Sequence, residues 1–518
     1  MSIIGTRYNS RKRGIPLLVT AFLLLTGCAS EVETQKQLDF GNLLVVAYEN
    51  LADRYISPLT PNKMSMKGLH NLVATDNSSN LRQEGGVISL TVDGTVVSRE
   101  EIPEKDDING WADVTIKLVN QARESSPSIG NLSDKETHNL LLAGIIKNAD
   151  QYSRYLPSEA AGRSRATRDG FGGIGIVIEL IGEHVLIQSV SPNNPAAKAG
   201  LLEGDRITHV DEKSILGLSI SRVAKLLRGK VYEPVQIRIE RLGVEKPLDL
   251  EVVRDHVIRE SVSARYEDGT AIIRIKSFNQ GTIGALRKSV VSAAREMGRD
   301  LKGLVLDLRS NPGGLLDQAI AVADLFLVDG RIISTKGRHP ESNQIFDATP
   351  GEVLKGLPVV VLINGRSASA AEIVAVALRD SGRAAVIGST SYGKGTVQTI
   401  VRLPNAAEYH LTWARILAPS GQTLDRQGIV PVICTNITRE RIEDLKSALT
   451  TGTRKLMAVQ SGYQPNSATP HYSKERKLDC PPSSVRPTDD LETAKLLLKN
   501  NELYLSAIAH PPTNLAKH

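Results

Sequence analysis

Ser369 is the residue of this sequence best placed to act as a nucleophile. It follows the apolar run Leu357–Ile363, which predicts a buried strand, and precedes Ala370–Asp380, which predicts a helix. Free backbone N–H groups at a helix start can stabilise a developing oxyanion, so a serine there could attack a carbonyl carbon. Ser369 and Glu372 also fit the common S-x-x-E capping box, and taken alone this segment favours capping over catalysis.

A serine nucleophile needs a base, and the sequence offers a lysine for that role. The ten histidines are scattered, and none lies in a recognisable triad context. Lys394 stands between two glycines at the start of a predicted strand, and a turn with a returning strand could bring it beside Ser369. To act as a base it must be uncharged near pH 7, so burial has to lower its pKa from the usual value of about 10.4.

Gln398 is the residue that could orient this lysine. Four positions on in a strand, it shares a face with Lys394, and its amide oxygen can hold the amine without restoring the charge. Two other interpretations of Lys394 stay open. The segment Gly388–Gly395 nearly matches the phosphate loop G-x-x-x-x-G-K-[ST], although a glycine occupies the hydroxyl position. A lysine in a solvated turn is the second alternative.

A glycine pair could complete the chemistry. Gly313 and Gly314 follow the apolar run Leu304–Leu308 and the dipeptide Asn311-Pro312. Because glycine has no Cβ, its backbone N–H can approach a ligand closely, and this turn could supply an oxyanion donor beside the N–H of Ala370. A tight left-handed turn with no catalytic role is an equal interpretation of the same residues.

The elements that would position these groups are predicted by hydrophobic periodicity. Over residues 271–431, short apolar strands alternate with helices, which is typical of an α/β layered core with strands buried on both faces. Over residues 171–253, short β-rich runs surround one helix, Ser219–Arg228, which predicts a small, partly open β-barrel. Residues 35–160 read as mostly helical, with a hairpin over Val87–Val97.

The first residues have the pattern of a bacterial export signal. Met1–Gly14 is basic, Ile15–Leu25 is apolar but too short to span a membrane comfortably, and Leu25-Thr-Gly-Cys28 follows. Residues 25–28 are similar to the lipobox of bacterial lipoproteins, so we expect a signal peptide over 1–27 and lipidation at Cys28. An ordinary signal-peptidase cut after Ala29 is the alternative.

Composition and charge exclude several classes of protein. Hydrophobic residues make up 41% and charged residues 23%, which excludes disordered, collagen-like and polytopic membrane chains. Arg7, Arg11, Lys12 and Arg13, in the predicted signal segment, supply four of the six net positive charges, so no nucleic-acid partner is expected.

The remaining cysteines, Cys434 and Cys480, predict a disulfide, because an exported chain works in an oxidising space. Near them there is no third cysteine and no paired histidine, so we predict no metal site.

Four spaced motifs resemble those of the carboxyl-terminal processing (tail-specific) proteases. They are N-P-G-G at 311–314, S-A-S-A-A-E at 367–372, Y-G-K-G-x-V-Q at 392–398 and P-S-G-Q-T-L…G-I-V-P at 419–431. In that family the second serine of S-A-S-A is the nucleophile, the lysine of G-K-G is the base, and the glutamine orients it. The resemblance therefore assigns these roles to Ser369, Lys394 and Gln398, and it covers the chain from about Tyr152 to Pro431.

The resemblance also implies an α/β multidomain fold. A crotonase-like ββα-spiral protease core would carry an inserted PDZ β-barrel, with a helical N-terminal region before it. The expected domains are an N-terminal region at 28–160, a PDZ domain at 161–256, the protease core at 257–434 and a C-terminal extension at 435–518. In the extension one helix is predicted over Leu491–Leu505.

A PDZ domain implies a site for the C-terminus of a substrate. The segment from Phe171 would form the carboxylate-binding loop, with Gly173, Ile174, Gly175 and Ile176 as its binding residues. Loop N–H groups would hold the carboxylate while the substrate adds a strand beside the predicted helix. A different small β-barrel is the alternative for this region.

The function implied is that of an exported, lipid-anchored serine endopeptidase that degrades or processes proteins from their C-terminal tails. We expect it on the periplasmic side of the bacterial cell envelope, with the outer membrane favoured and the inner membrane as the alternative. The expected partners are polypeptides with exposed C-termini and the membrane itself, and no cofactor is expected. An adaptor lipoprotein and a homo-oligomer are left open. The alternative is a catalytically silent lipoprotein scaffold whose PDZ domain only binds peptides.

Overall fold

The computed structural model describes residues 25–147, 149–354, 356–451 and 480–509. The chain divides into two units, one within residues 1–49 and 60–145 and the other within residues 50–59 and 146–518. Residues 1–24 of the predicted signal segment lie outside the described residues, and so does the side chain of the predicted lipidation site Cys28; both stay predictions. None of the described helices combines the length and the apolarity needed to cross a bilayer.

Between residues 25 and 146 the regular structure is helical except for one small sheet. Its helices are α1 (Leu25–Arg54), α2 (Pro61–Val73), α3 (Ile108–Ser125), α4 (Pro127–Gly130) and α5 (Asp134–Ile146), and its strands are β1 (Ser79–Glu84), β2 (Val87–Val92) and β3 (Thr95–Glu101). The predicted hairpin is confirmed, because β2 and β3 pair antiparallel around Asp93 and Gly94, both at positive φ. Strand β1 was not predicted, because only Leu81 among its residues is buried and its sequence does not alternate.

Residues 154–257 begin with a short strand that pairs with a strand of the core and continue into a small β domain. In chain order the elements are β4 (Arg154–Leu156), α6 (Ser158–Arg168), β5 (Phe171–Gly173), β6 (Ile176–Ile181), β7 (His184–Val190), α7 (Pro195–Lys198), β8 (Arg206–Val210), β9 (Lys213–Ser214), α8 (Ile220–Leu227), β10 (Pro234–Glu240), β11 (Leu248–Val253) and β12 (Asp255–Val257). One sheet has the order β11-β10-β8-β7-β6, while β5 pairs with β12. Ser219 occupies the N-cap position of α8 as predicted, but its side chain makes no capping hydrogen bond.

The α/β core follows. Its elements are β13 (Val262–Glu267), β14 (Thr270–Ile275), α9 (Thr282–Met297), β15 (Gly303–Asp307), α10 (Leu316–Asp324), β16 (Arg331–Gly337), β17 (Gln344–Asp347), β18 (Val359–Ile363), α11 (Ala370–Asp380), β19 (Ala384–Gly388), β20 (Thr396–Arg402), β21 (Glu408–Leu417) and β22 (Ile433–Cys434), with 3-10 turns at Gly298–Asp300 and Pro340–Ser342. The main sheet has the order β13-β14-β15-β18-β19-β22 and is parallel from β14 onward. A second, antiparallel sheet has the order β17-β16-β21-β20, and β4 pairs with β21.

Alternate residues of the central strands belong to two separate hydrophobic cores. Val359 and Val361 of β18 pack in the core that includes α9, α10 and α11. Val360 and Leu362 of the same strand pack in a core formed with the C-terminal helices. Those helices are α12 (Arg439–Thr451), α13 (Thr488–Lys499) and α14 (Asn501–Ile508). Both faces of β18 are therefore covered, which explains its continuous apolar sequence.

The C-terminal extension packs on the sheet but differs from its predicted secondary structure. The single helix expected over Leu491–Leu505 is two helices, α13 and α14, which are separated at Asn500. The Asn500 side chain accepts a hydrogen bond from the Leu503 N–H (3.1 Å) and so caps the second helix. An asparagine favours such a cap over a helix interior, which is the physical reason for the break.

Residues 480–487, which we call the C-terminal strap, run across the loops at the carboxyl ends of the parallel strands. Cys480 at its start is joined to Cys434 by a disulfide. The Ser483 carbonyl accepts a hydrogen bond from the Gly365 N–H at 2.7 Å, in the loop that follows β18. The strap therefore ties the loop that leads to Ser369 to the end of β22.

A buried ion cluster fixes the end of the strap. The Arg309 guanidinium lies 2.8 Å from a carboxylate oxygen of Asp307 and 3.0 Å from one of Asp490, and it donates to the Pro487 carbonyl at 2.9 Å. All three charged side chains are buried. Arg309 therefore links the turn after β15 to the start of α13.

Candidate active site

Ser369 lies at the sharp turn between β18 and α11, as the N-cap residue of the helix. Its φ of 55° and ψ of −115° lie in a region that non-glycine residues rarely enter. The conformation is held on both sides of the Ser369 Cα: the Ser369 N–H donates to Glu372 Oε2 at 2.7 Å, and the Ser369 carbonyl accepts from the Ile373 N–H at 2.9 Å. Such local strain persists only where surrounding contacts fix it, and it is frequent at catalytic residues.

The Glu372 carboxylate connects the serine to the lysine loop. Besides the Ser369 N–H, it accepts hydrogen bonds from the N–H groups of Gly393 (2.7 Å) and Lys394 (2.9 Å) and from the Ser391 hydroxyl (2.5 Å). Burial raises the pKa of Glu372, while these four hydrogen bonds oppose the rise. Because the three N–H groups can only donate, they fit the ionised carboxylate best.

The sequence interpretation missed this wider role of Glu372. The capping box accounted for the residue locally, and the reach to Gly393 and Lys394 is not visible in the spacing. One signal was present. Residues 370–378 are all apolar except Glu372, which predicts a buried helix, so a carboxylate in its first turn has to find partners outside the helix.

The Lys394 amine is held by an amide and an aromatic ring. Its Nζ donates to Gln398 Oε1 at 3.1 Å and lies 5.4 Å from the centre of the Tyr152 ring. The amide of Gln398 is fixed in this orientation, because its Nε2 donates to the Tyr152 carbonyl at 2.6 Å. Burial lowers the pKa of Lys394, as does the charge of Arg154, while the charges of Glu372 and Asp150 raise it.

Ser369 and Lys394 line one cavity of about 620 Å³, together with Gln398. Within the described residues no hydrogen bond joins the Ser369 hydroxyl to the Lys394 amine, whose bond goes to Gln398. The two alternatives for Lys394 do not fit this geometry. The N–H groups of Gly393 and Lys394 are bound to a carboxylate and cannot hold phosphate, and the lysine is half-buried instead of solvated.

The glycine turn after β15 lies against the nucleophile. A Cβ added to Gly313 would lie 2.9 Å from the Ser369 Cβ and 3.0 Å from the Ala370 nitrogen, so only glycine fits there. The Gly313 N–H is already used, because it donates to Asn311 Oδ1 at 2.8 Å. In the described part of the chain, the N–H groups of Gly314 and Ala370 donate no hydrogen bond, so they are the donors left for an oxyanion.

The predicted carboxylate-binding loop lies between β5 and β6. Gly175 has φ 81°, and a Cβ on it would lie 2.3 Å from the Asn194 side chain. The carbonyls of Ile174 and Gly175 accept hydrogen bonds from Ala196 and Ser191, whereas their own N–H groups have no acceptor among the described residues. Strand β6, which begins at Ile176, is the edge strand of its sheet, and α8 packs beside it. Gly173 pairs with β12, so the loop is held on both sides.

The described side chains include no group of three or more His, Cys, Asp or Glu residues with the arrangement of a metal site. We therefore assign none of the described residues to a metal. The chemistry that the cavity offers is that of a hydroxyl, an amine of lowered pKa and two free N–H donors.

Comparison with known proteins gives two family matches and a set of relatives. Residues 269–434 match the model of peptidase family S41, and residues 186–241 match a model of the PDZ domain. The carboxy-terminal-processing protease of Bartonella bacilliformis is 43% identical over 294 residues, which cover 56% of this chain and 67% of that protein. The carboxy-terminal processing protease CtpA of Bacillus subtilis is 35% identical, over 56% of this chain and 62% of that protein. A probable CtpA-like serine protease of Staphylococcus epidermidis is 31% identical, over 67% of this chain and 71% of that protein.

Proposed function

Because this chain belongs to peptidase family S41, with carboxy-terminal processing proteases among its relatives, we propose that it is a serine endopeptidase that degrades or processes proteins from their C-terminal tails. Ser369 would be the nucleophile, Lys394 the general base and Gln398 the residue that orients the base. One observation carries this assignment: the Lys394 amine lies in the cavity of Ser369, is half-buried, and is held by the neutral amide of Gln398 and not by a carboxylate. A lysine in that setting can lose its proton near neutral pH.

The reaction would proceed through an acyl-enzyme. Lys394 takes the proton of the Ser369 hydroxyl as Ser369 attacks the scissile carbonyl carbon, and the N–H groups of Ala370 and Gly314 stabilise the oxyanion. The protonated lysine then gives its proton to the leaving amine, and water releases the acyl group. Because no hydrogen bond joins the Ser369 hydroxyl to the Lys394 amine in the described structure, a productive contact of about 3 Å between them has to form when substrate binds; the amine can keep its bond to Gln398 and still accept from the serine.

The PDZ domain would select the substrate. We propose that the free N–H groups of Ile174 and Gly175 bind the terminal carboxylate and that the substrate backbone pairs with the open edge of β6. Substrates would then be polypeptides with an exposed, unstructured C-terminus.

The test is cleavage of a purified unfolded substrate with a free C-terminal tail. We expect Ser369→Ala and Lys394→Ala each to abolish cleavage while the thermal unfolding midpoint stays unchanged. Ser381→Ala, at the opposite end of α11, and Lys336→Ala, exposed on β16, are matched controls and should keep full activity. Cleavage by Ser369→Ala or Lys394→Ala would refute the assignment of the dyad. A wild-type chain that binds the tail without cutting it would favour the catalytically silent scaffold.

We also propose export and lipid anchoring at Cys28, on the periplasmic side of the outer membrane. The basic and apolar segments before Leu25-Thr-Gly-Cys28 support this, as does the Cys434–Cys480 disulfide, which suits an oxidising compartment. In a bacterial host, Cys28→Ser should abolish incorporation of labelled fatty acid and release the protein from the membrane fraction. Labelling of that variant would exclude Cys28 as the site. An adaptor lipoprotein and a homo-oligomer stay predictions, and light scattering of the purified protein tests the second.

A further inference from the structure

The cavity of Ser369 and Lys394 has one apolar wall and one cationic wall. The apolar wall is formed by Phe278, Leu316, Ile373, Val397 and Ile416. The cationic wall is formed by Arg154 from β4 and by Arg163 and Arg168 from α6. Among the described residues that line the cavity there is no aspartate or glutamate. The space beside the nucleophile therefore carries an unbalanced positive charge.

The neighbouring acids reach only one of these three arginines, Arg168. Glu408, a buried carboxylate of β21, pairs with Arg165 at 2.8 Å and with His410 at 3.1 Å, and Arg168 lies 3.7 Å from it. Arg168 pairs with Asp169 at 2.9 Å, but its Nη1 is buried and has no hydrogen-bond partner within the described chain.

The other two arginines of this wall have no acidic partner. The Arg163 carbonyl accepts a hydrogen bond from the Thr167 hydroxyl at 3.0 Å, whereas its side chain, exposed on α6, makes neither an ion pair nor a hydrogen bond to any described residue. The Arg154 guanidinium lies 3.4 Å from Nδ1 of His410 and forms no ion pair with a described carboxylate, and burial lowers the pKa of the His410 ring. A carboxylate brought into the cavity would therefore meet unpaired guanidinium groups.

We propose that the α6 side of the cavity is a subsite for a carboxylate of the bound polypeptide, and that the apolar wall takes an adjacent aliphatic side chain. The carboxylate is either the side chain of an aspartate or glutamate near the scissile bond or the terminal carboxylate of the chain. Guanidinium groups bind carboxylates through paired hydrogen bonds, and a partly closed cavity strengthens such bonds relative to open water. This rests on the proposed function, because it assumes that the cavity receives a polypeptide.

The test uses peptide substrates that differ only in one charge. One series replaces a single glutamate by glutamine at successive positions around the scissile bond, and a separate peptide has an amidated C-terminus. The variant is Arg163→Gln, because Arg154 also affects the pKa of Lys394 and Arg168 holds Asp169. The matched control is Arg287→Gln, an exposed arginine on α9.

We expect the wild type and Arg287→Gln to prefer one charged peptide by roughly tenfold in kcat/KM, as for a hydrogen bond to a charged partner. In Arg163→Gln this ratio should fall severalfold. If Arg163→Gln lowers the preference for glutamate over glutamine, the bound carboxylate is a side chain. If it lowers only the preference for the free over the amidated C-terminus, the bound carboxylate is the terminal one. Amidation also weakens binding to the PDZ loop, but by the same factor in all variants. The informative quantity is therefore the difference in the kcat/KM ratio between the wild type and Arg163→Gln.

Binding of the same peptides to Ser369→Ala, with and without Arg163→Gln, separates the two proposals. If the wild type cleaves nothing but affinity for the charged peptide depends on Arg163, the proposed function fails and the subsite stands. If every charge ratio is the same in wild type and Arg163→Gln, in both cleavage and binding, the subsite is excluded. Charge reversal gives a positive control for contact, because Arg163→Glu should prefer the peptide with lysine at the same position.

Discussion

Replacing Glu372 by glutamine should lower the rate of cleavage and change its pH dependence in a defined direction. The carboxylate accepts four hydrogen bonds, from the N–H groups of Ser369, Gly393 and Lys394 and from the Ser391 hydroxyl. Glutamine has the same shape but replaces one acceptor oxygen by an NH₂ donor. No orientation of the amide can satisfy all three N–H groups.

The less costly orientation keeps the oxygen on Ser369 and Lys394 and turns the NH₂ toward Gly393. One N–H is then left buried without an acceptor, and the retained bonds go to a neutral oxygen. A bond to a charged group contributes about 1.5–3 kcal/mol, so we expect a loss of about 2–3 kcal/mol in the free energy of unfolding. Displacement of the Gly393 loop by about 1 Å would lower kcat roughly 100-fold.

The pH dependence distinguishes this role from simple loss of structure. Activity requires the neutral amine of Lys394, so kcat rises as the pH increases through the pKa of Lys394. The charge of Glu372 raises that pKa. Removing the charge therefore lowers it, and the acid limb of the kcat profile should move to lower pH while the plateau falls.

The assay is kcat against pH on a tailed substrate, with urea unfolding of the same variants. Glu372→Asp is the matched control, because it keeps the charge but shortens the reach; its plateau should fall while its acid limb stays in place. A Glu372→Gln variant with wild-type kcat would refute the positioning role. An acid limb that moves to higher pH would refute the electrostatic reasoning.

Three other expectations follow from the described contacts. Gln398→Glu should move the acid limb of kcat to higher pH, because a carboxylate stabilises the Lys394 ammonium and raises its pKa. Cys434→Ser combined with Cys480→Ser opens a loop of 46 residues and should lower the free energy of unfolding by about 4 kcal/mol, measured in urea. Arg309→Met leaves two buried carboxylates without their cation and should cost about 3–5 kcal/mol, measured by thermal unfolding.

Each of these expectations has its own contrary result. An acid limb that stays in place in Gln398→Glu would show that the amide does not govern the lysine. A urea unfolding midpoint that is the same with and without reductant would contradict the expected stabilisation by the Cys434–Cys480 disulfide. Arg331→Met, which breaks a more exposed ion pair with Asp347, is the control for Arg309 and should cost less than about 1 kcal/mol.

The central strands and the nucleophile helix could be predicted from the sequence. The predicted bounds of α11 agree with the structure, and the apolar run Leu357–Ile363 contains β18 and ends with it, because a strand buried on both faces reads as an unbroken apolar run. The pair of Lys394 and Gln398 came from strand periodicity, although Lys394 precedes β20 and the strand has a register shift at Gln398. The contact forms because the amide is also tied to the Tyr152 carbonyl.

What the sequence could not predict depends on contacts between distant segments. The spacing does not tell which glycine of the pair keeps a free N–H, because the answer depends on the Asn311 side chain, which takes the N–H of Gly313. The arginines of the cavity come from β4, which was predicted to lie in the helical N-terminal region, and from the part of α6 that was assigned to the PDZ domain; β4 joins the core by pairing with β21. The break at Asn500 needed knowledge of which way that side chain turns.

Because β18 belongs to two cores, its two faces are covered at different times during synthesis. A ribosome releases the residues of α13 and α14 well after those of Ser369 and Lys394, yet Val360 and Leu362 are covered only once these late helices have emerged. Until then one face of the central sheet is exposed to solvent, and the nascent chain presents an apolar surface there. The residues of the catalytic segment therefore leave the ribosome before the helices that cover the second face of their sheet.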